Sequence, residues 1–420
     1  MANFLKIAYD STEAADITKD SYEHRNTPFA NSSVYEAFVE ESELLTEGDD
    51  VKPTYRLRLD VKDYDFNFLP GDVIGILPEN NSSEVQKLLN HLNLTSVCHW
   101  KYHLSIQEGS KKKIPKHLPP SSTLYEVFLK HICLRSAPKK LFLKNLIKYT
   151  DDVKEKALLE QVCAPTGSAE YIKLLETTRS LLALLESFPS CQPPVEVILE
   201  HSSPLNPRCY SIASSPLSNQ LWILFNVLEM SNSLKGVCTS WLEQIIKAQD
   251  FSKRVPIYFR KPGKFHMDNS VTAKILVATG SGLAPFMGFL DHKSLGGSVA
   301  DMWLFYGCRY SDRDFLCKKD LLNYAATGTL GKKCWAFSRD GKKKEYVQDK
   351  IEENKEEFAK WIFEKEAMVF VCGELKTVVR DVKEAIVESI MTHKKCEKAT
   401  ACLVLEELVK CDRIIIDSWL

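Results

Sequence analysis

No uninterrupted apolar run in this chain approaches the roughly 20 residues that a membrane-crossing helix requires. A net charge of −1 leaves no basic excess, which argues against the phosphate-tracking surface that a nucleic-acid partner demands. The thirteen cysteines are scattered without CxxC pairs or Cys/His ligand spacing, so neither a zinc site nor a disulfide framework is expected. The opening residues, MANFLKIAYDSTEAAD, turn acidic and polar too early for a secretory signal. These absences point to a reducing, cytoplasmic setting with no metal, membrane or nucleic acid. What remains is an ordinary globular composition, 44% hydrophobic and 26% charged over 420 residues, enough for two or three domains.

Residues 1–30 are polar and mixed in charge, and read as an extended lead-in. From 54 to 61 the chain alternates like a half-buried strand, and after a Pro-Gly turn 73–77 reads as a second. These open an antiparallel β-barrel domain expected over 31–93 and 193–270. Between them, 94–192 reads as a helical insertion. Helical patterns appear at 85–94, from a Thr123 cap to 134, after Asp151 and Asp152, at 168–176 and at 179–186. No chemically matched cluster appears in the insertion, so a spacer or positioning role is expected of it. Strands are expected again at 195–199 and 221–228, then a helix over 240–248.

After residue 270 strands and helices alternate: strands at 274–278, 302–307, 334–338 and 368–372, with helices from Pro285, near Asp320, in the charged stretch before 368, and from Thr377. That rhythm predicts a doubly wound parallel sheet over 271–420, whose ligands bind beyond the carboxyl ends of its strands. Each strand is followed by an unusual loop: ATGSGLAPF (278–286), GCR (307–309), SRD (338–340) and CGE (372–374).

Two stretches carry the chemistry on the barrel side. RCYSIASSP (208–216) joins an arginine fork for phosphate, a tyrosine face for a ring and hydroxyls for heteroatoms. Alone it is equally a Ser/Pro-rich turn. GVCT (236–239) opens a helix whose free N–H groups suit a pyrophosphate, although a plain helix cap accounts for it as well. On the sheet side, Gly280-Ser281-Gly282 allows close backbone approach to a nucleotide without being a GxGxxG fingerprint. Ser338, Arg339, Lys342 to Lys344 and Tyr346 to Gln348 bring cations, hydroxyls and an aromatic to the third strand exit, where no acid dominates. A 2′-phosphate is accommodated there, favouring NADP over NAD.

The ordered set resembles the FAD/NADPH half of the diflavin reductases, the family related to ferredoxin–NADP reductase. RCYSIASSP resembles its flavin motif, GVCTSWL its pyrophosphate motif and ATGSGLAPF its nicotinamide loop; LFYGCRYSDRDFL, FSRD, YVQ, VCGE and a terminal DSWL follow in order. FPSCQPP, MWLFYGCRYSDRDFL and AFSRD resemble the branch that serves the cobalamin-dependent methionine synthase. The resemblance runs from about residue 28 to the end and implies that the insertion is the family's connecting domain.

It further implies FAD bound by Arg208, Cys209, Tyr210, Ser211, Leu224, Phe225, Asn226, Gly236, Val237, Cys238, Thr239 and Trp419. NADPH would be bound by Gly280, Ser281, Arg309, Ser338, Arg339, Lys344, Tyr346, Gln348 and Asp381. Ser211, Cys372 and Asp417 match the hydride-transfer residues, and Trp419 the aromatic lid over the flavin. Ser281 stands where the family has threonine, Glu374 where it has aspartate, and Leu420 where it has serine. A flavodoxin-like FMN domain is not read ahead of the match, so a separate flavodoxin-like or FMN protein is the expected electron acceptor, with methionine synthase a candidate beyond it. The rival reading is a non-catalytic FAD-binding module or chaperone docked on a cobalamin enzyme; the joint presence of Ser211, Cys372, Asp417 and Trp419 favours the enzyme.

Overall fold

A computed structural model describes residues 3–14, 22–61, 67–229, 234–267 and 270–419; for 11–14, 375, 376 and 419 it describes the backbone alone. The chain forms two compact units, Met1–Pro28 with Leu77–Arg208, and Phe29–Ile76 with Cys209–Leu420.

The second unit holds two sheets. The first is antiparallel and curled: β1 (Tyr35–Leu44), β2 (Thr54–Asp60), β3 (Val73–Ile76), β4 (Arg208–Ser211), β5 (Leu221–Asn226) and β6 (Arg254–Phe259), in the order β4-β3-β6-β1-β2-β5. Alternation decides its faces. On β5, Leu221, Ile223 and Phe225 point into the barrel core with Leu57, Leu59, Ile74 and Ile257. Trp222 and Leu224 point the other way and are buried too, in a core shared with Leu276, Ala278, Phe286 and Leu290. α1 (Val237–Ala248) closes the barrel with Trp241, Leu242 and Ile245.

The second sheet is fully parallel: β7 (Ala273–Thr279), β8 (Asp301–Cys308), β9 (Lys332–Phe337), β10 (Met368–Glu374) and β11 (Ile414–Trp419), ordered β9-β8-β7-β10-β11. Its central strands are near-continuous apolar runs, as expected for strands covered on both faces. Successive strands step away from β7 on one side as β8 and β9, then restart on the other as β10 and β11. The order therefore reverses beside β7, which opens a crevice at the carboxyl ends. α2 (Ala284–Ser294), α3 (Lys318–Ala326), α4 (Val347–Glu353), α5 (Lys355–Phe363), α6 (Arg380–Lys394) and α7 (Lys398–Lys410) connect the strands. The charged stretch before β10 is two helices, broken at Asn354, and the turn expected to start a helix at Thr377 is a π-helical turn (Leu375–Val379) that becomes α-helix at Arg380.

In the first unit, the strand Leu5–Ala14 lies antiparallel to Trp100–Ile106. The helices Ser82–His91, Val153–Cys163, Ser168–Thr177 and Leu181–Glu186 follow the helical patterns closely, and Asp152 caps its helix by accepting from Lys154 N at 2.9 Å. The strand expected at 195–199 is instead the helix Val195–His201, with Val195, Val197, Ile198 and Leu199 all buried. A short apolar run buried on several sides carries no period of its own, and its β-branched residues mislead.

Gly75 on β3 sits opposite Tyr258 on β6, and a Cβ there would lie 2.3 Å from the Tyr258 ring. Tyr258 is fully buried and has nowhere to go. Gly75→Ala is expected to cost about 1–3 kcal/mol, read as a lower urea midpoint; an unchanged midpoint would show that the ring has room to shift.

Candidate functional site

At the switch point of the parallel sheet lies a cavity of about 610 Å³. Gly280, Arg309, Ser338, Tyr346, Gln348 and Asp381 line it, together with Thr279, Glu374 and Thr377. Six of the residues singled out for NADPH thus come from four different strand exits to one space. Arg339 and Lys344 are exposed and do not line it, although Arg339 N donates to Arg309 O at 2.8 Å and so ties the two exits together. Ser338 is held by its own N–H, which donates to Cys308 O at 3.0 Å.

The acids around this cavity are engaged by donors of the chain itself. Asp314 accepts from the Arg309 and Tyr310 N–H groups at 3.1 and 2.6 Å, Asp381 from Arg380 Nε at 2.8 Å, and Glu374 from Thr377 Oγ1 at 3.1 Å. Lys52 and Arg309 stand opposite as cations, a balance suited to phosphate. Lys52 and Thr54 escaped the reading of the sequence. They belong to this cavity because β2 runs antiparallel to β5 and sets Thr54 opposite Asn226, a long-range pairing with no local signal.

Asn226 joins the two sheets. Its Nδ2 donates to Ser281 Oγ at 2.9 Å, and its Oδ1 accepts from Thr54 Oγ1 at 2.7 Å. Of the residues expected beside the flavin, Leu224 and Phe225 are core: Phe225 stacks on Tyr55 at 5.5 Å and meets Tyr210 edge-on at 6.2 Å. Tyr210 Oη lies 3.4 Å from Cys238 Sγ, which links the flavin motif to the start of α1. Val237 and Cys238 are buried there. A Cβ on Gly236 would lie 2.9 Å from Thr239 Oγ1 and 3.1 Å from Leu228 Cβ, so the loop is as tight as a phosphate cradle requires. Arg208 ends the other unit, where its Nη1 donates to Asn206 O.

Beside β4 a second cavity of about 500 Å³ is lined by Asp72, Arg260, Lys264, Phe265 and Asp417. Arg260 Nη1 donates to Cys209 Sγ at 3.3 Å, and Ile212 N donates to Asp72 O at 2.9 Å, which places this space against the flavin motif. Arg260 Nε and Asp72 Oδ1 are buried without a partner. One orphaned donor and one orphaned acceptor fit the mixed polar edge of a flavin ring. Cys372 and Asp417 are register partners on β10 and β11. Burial, then the Asp417 carboxylate, push the Cys372 thiol well above its ordinary value, so it stays a neutral thiol. Burial raises the Asp417 carboxyl, against the pull of Arg260 and the Ser418 N–H. Ser211 is half-buried at the end of β4; the Trp419 side chain lies outside the described part, its backbone pairing with Glu374.

The FAD binding domain family matches residues 27–241, and the oxidoreductase NAD-binding domain family residues 276–384. The chain is 33% identical to methionine synthase reductase of Rattus norvegicus over 434 residues, covering 94% of this chain and 62% of that protein. It is 34% identical to methionine synthase reductase of Homo sapiens over 425 residues, with 92% and 61% covered. NADPH–cytochrome P450 reductase of Sus scrofa is 29% identical over 416 residues, with 95% and 60% covered. The chain thus spans about three fifths of the length of these relatives.

Because the folded chain holds a proton on Asp417 that the unfolded chain releases at the ordinary value of 3.8, ionisation at this position costs stability. Relative to Asp417→Asn, the wild type should lose melting temperature as pH rises from about 4 through the raised value, with no further change above it. A difference that narrows as pH rises would contradict the burial of this carboxyl.

Proposed function

We propose that this chain, which belongs to the FAD/NADPH half of the diflavin reductase family, takes a hydride from NADPH onto FAD and passes electrons to a separate acceptor. The observation that carries this is the convergence of Gly280, Arg309, Ser338, Tyr346, Gln348 and Asp381 on one cavity, bridged to the flavin strand by Asn226. Bound FAD would accept the hydride and release electrons singly.

The chain's own residues do the positioning. The α1 N-terminus and Gly236 to Thr239 would hold the pyrophosphate and Tyr210 would offer its ring face to the flavin; a charge on the pyrophosphate is what the resemblance implies for Arg208. Ser211 would supply a hydroxyl to the flavin where its protonation changes. Cys372, a neutral and buried thiol, would exclude water beside the reacting rings, and Asp417, its register partner, would favour a cationic nicotinamide. Ser338, Tyr346 and Gln348 of the cavity lining, with the exposed Arg339 and Lys344 from the same segment, would take the adenosine 2′-phosphate. For Trp419 the resemblance implies the lid over the flavin.

For the final acceptor, the names of the relatives favour methionine synthase over a cytochrome P450 route, since two of the three matches described above carry that name at higher identity; a flavodoxin-like or FMN protein is the proposed intermediary. Thirteen free cysteines and the lack, among the described residues, of a helix long and apolar enough to cross a membrane support a cytoplasmic setting. A scaffold that merely holds FAD has no use for the larger, phosphate-suited cavity, which counts against the non-catalytic reading.

The FAD-loaded chain should reduce ferricyanide with NADPH far better than with NADH, and reduce cytochrome c faster once a flavodoxin is added. Arg339→Ala is expected to raise the KM for NADPH about tenfold or more and leave that for NADH unchanged. Equal use of the two nucleotides by the wild type would overturn the 2′-phosphate assignment; no gain from the flavodoxin would overturn the separate acceptor.

A further inference from the structure

The Asn226 side chain is aimed at the nucleotide side of the site, although its strand belongs to the flavin domain. Period-two alternation on β5 puts Asn226 on the face of Trp222 and Leu224, which pack on the parallel sheet, and away from Ile223 and Phe225 in the barrel. It lines the large cavity, next to Gly280, whose neighbour Ser281 it touches.

The hydrogen-bond distances set a direction. The Thr54 Oγ1 to Asn226 Oδ1 separation of 2.7 Å is that of an O–H···O bond, and the Asn226 Nδ2 to Ser281 Oγ separation of 2.9 Å that of an N–H···O bond. Thr54 Oγ1 has two acceptors in reach, Asn226 Oδ1 at 2.7 Å and Lys52 O at 3.1 Å; donating to the nearer one, it fixes the carboxamide oxygen on its own side and turns the carboxamide nitrogen to Ser281. With a lone pair of Ser281 Oγ occupied by that N–H, its own O–H is left to donate outward. The reverse orientation would have Ser281, which adjoins the cavity lining at Gly280, donate to Asn226 and keep only lone pairs for a ligand. Only the first arrangement suits phosphate or carboxamide oxygens, which accept and never donate.

We propose that Asn226 is a positioning residue for the nicotinamide nucleotide: through the Thr54–Asn226–Ser281 relay it fixes Ser281 as a hydrogen-bond donor toward the bound nucleotide. The inference rests on the reading of the cavity as the NADPH site. It also accounts for a polar residue at the end of an otherwise apolar strand, where a hydrophobic one would seal the seam but orient nothing. Loss of the relay leaves Ser281 present and mispointed, so the effects of Asn226 and Ser281 on nucleotide binding are one effect.

The test is a double-mutant cycle on the FAD-loaded chain, with NADP⁺ as the titrated ligand and its Kd read by calorimetry. Asn226→Ala and Ser281→Ala are each expected to weaken binding about threefold to tenfold, and the double variant no more than the stronger single one. Asn226→Asp should weaken it further, because a carboxylate accepts the Ser281 O–H hydrogen bond and repels phosphate. FAD content should stay at the wild-type level. If Asn226→Ala folds poorly, Thr54→Val frees the carboxamide to turn and should show a partial loss that vanishes in the Ser281→Ala background. Losses that multiply in the double variant overturn the relay, as does a drop in FAD content with NADP⁺ affinity unchanged, which would place Asn226 on the flavin side. Absence of NADP⁺ binding by the wild type overturns the nucleotide reading itself, and the relay with it.

Discussion

The packing of the outer face of β5 against the parallel sheet is the contact on which the rest of this site depends. Trp222 and Leu224 share one core with Leu276, Ala278, Phe286 and Leu290, so the barrel and the nucleotide sheet are packed as one body at that point. Arg56 reinforces the seam: its guanidinium lies 4.3 Å from the Trp222 ring centroid and pairs with Asp320 on α3 at 2.8 Å. Gly288 on α2 approaches the Ile212 and Ser214 carbonyl oxygens so closely that a Cβ would lie 3.1 Å from each. Beyond it, Ser215 N donates to Asp291 Oδ2 at 2.8 Å, and Ser215 Oγ lies 2.9 Å from His292 Nδ1. Flavin motif and nicotinamide loop are thereby anchored to the same helix. Hydride transfer asks for this kind of fixity, because the reacting atoms must stand roughly 3–3.5 Å apart.

Charge is arranged around that seam in two different ways. The nucleotide cavity pairs acids satisfied by the chain with the cations Lys52 and Arg309 in its lining. The flavin side is arranged by burial. There Cys372 and Asp417 sit side by side on β10 and β11, and burial disfavours the ionised form of each. A thiol that stays neutral adds bulk without charge, whereas a carboxyl raised by burial gains from any positive charge that appears beside it. The division matches what the two halves of a hydride transfer require: phosphate recognition at a distance, and a water-poor environment at the reacting atoms.

Much of this was legible in the sequence because its signals are local. The parallel sheet announced itself through apolar runs punctuated by GCR, SRD and CGE, and the six expected residues that line the cavity all lie in the segments that follow β7, β8, β9 and β10. What stayed hidden depended on distant partners. β1 and β6 were not foreseen, since Tyr35–Leu44 mixes acids among its apolar residues and Arg254–Phe259 is a short run with a proline. β11 was read only as a terminal motif, yet it completes the sheet and carries Asp417 beside Cys372. Lys52 and Thr54 entered the site by pairing with β5, and Leu224 and Phe225 left it because a strand's two faces cannot both meet the flavin. The helix at Val195–His201 went the same way as many short buried segments: its residues favour extended chain in isolation, and the surrounding core chose otherwise.

The central claim, that nucleotide and flavin meet across the β5 seam, is tested most directly by mixing the FAD-loaded chain with one equivalent of NADPH under anaerobic conditions and following the flavin absorbance. The account predicts rapid bleaching with NADPH, little with NADH, and a marked slowing in Asp417→Asn with the bound flavin retained. A flavin that stays oxidised when NADPH is demonstrably bound would contradict it.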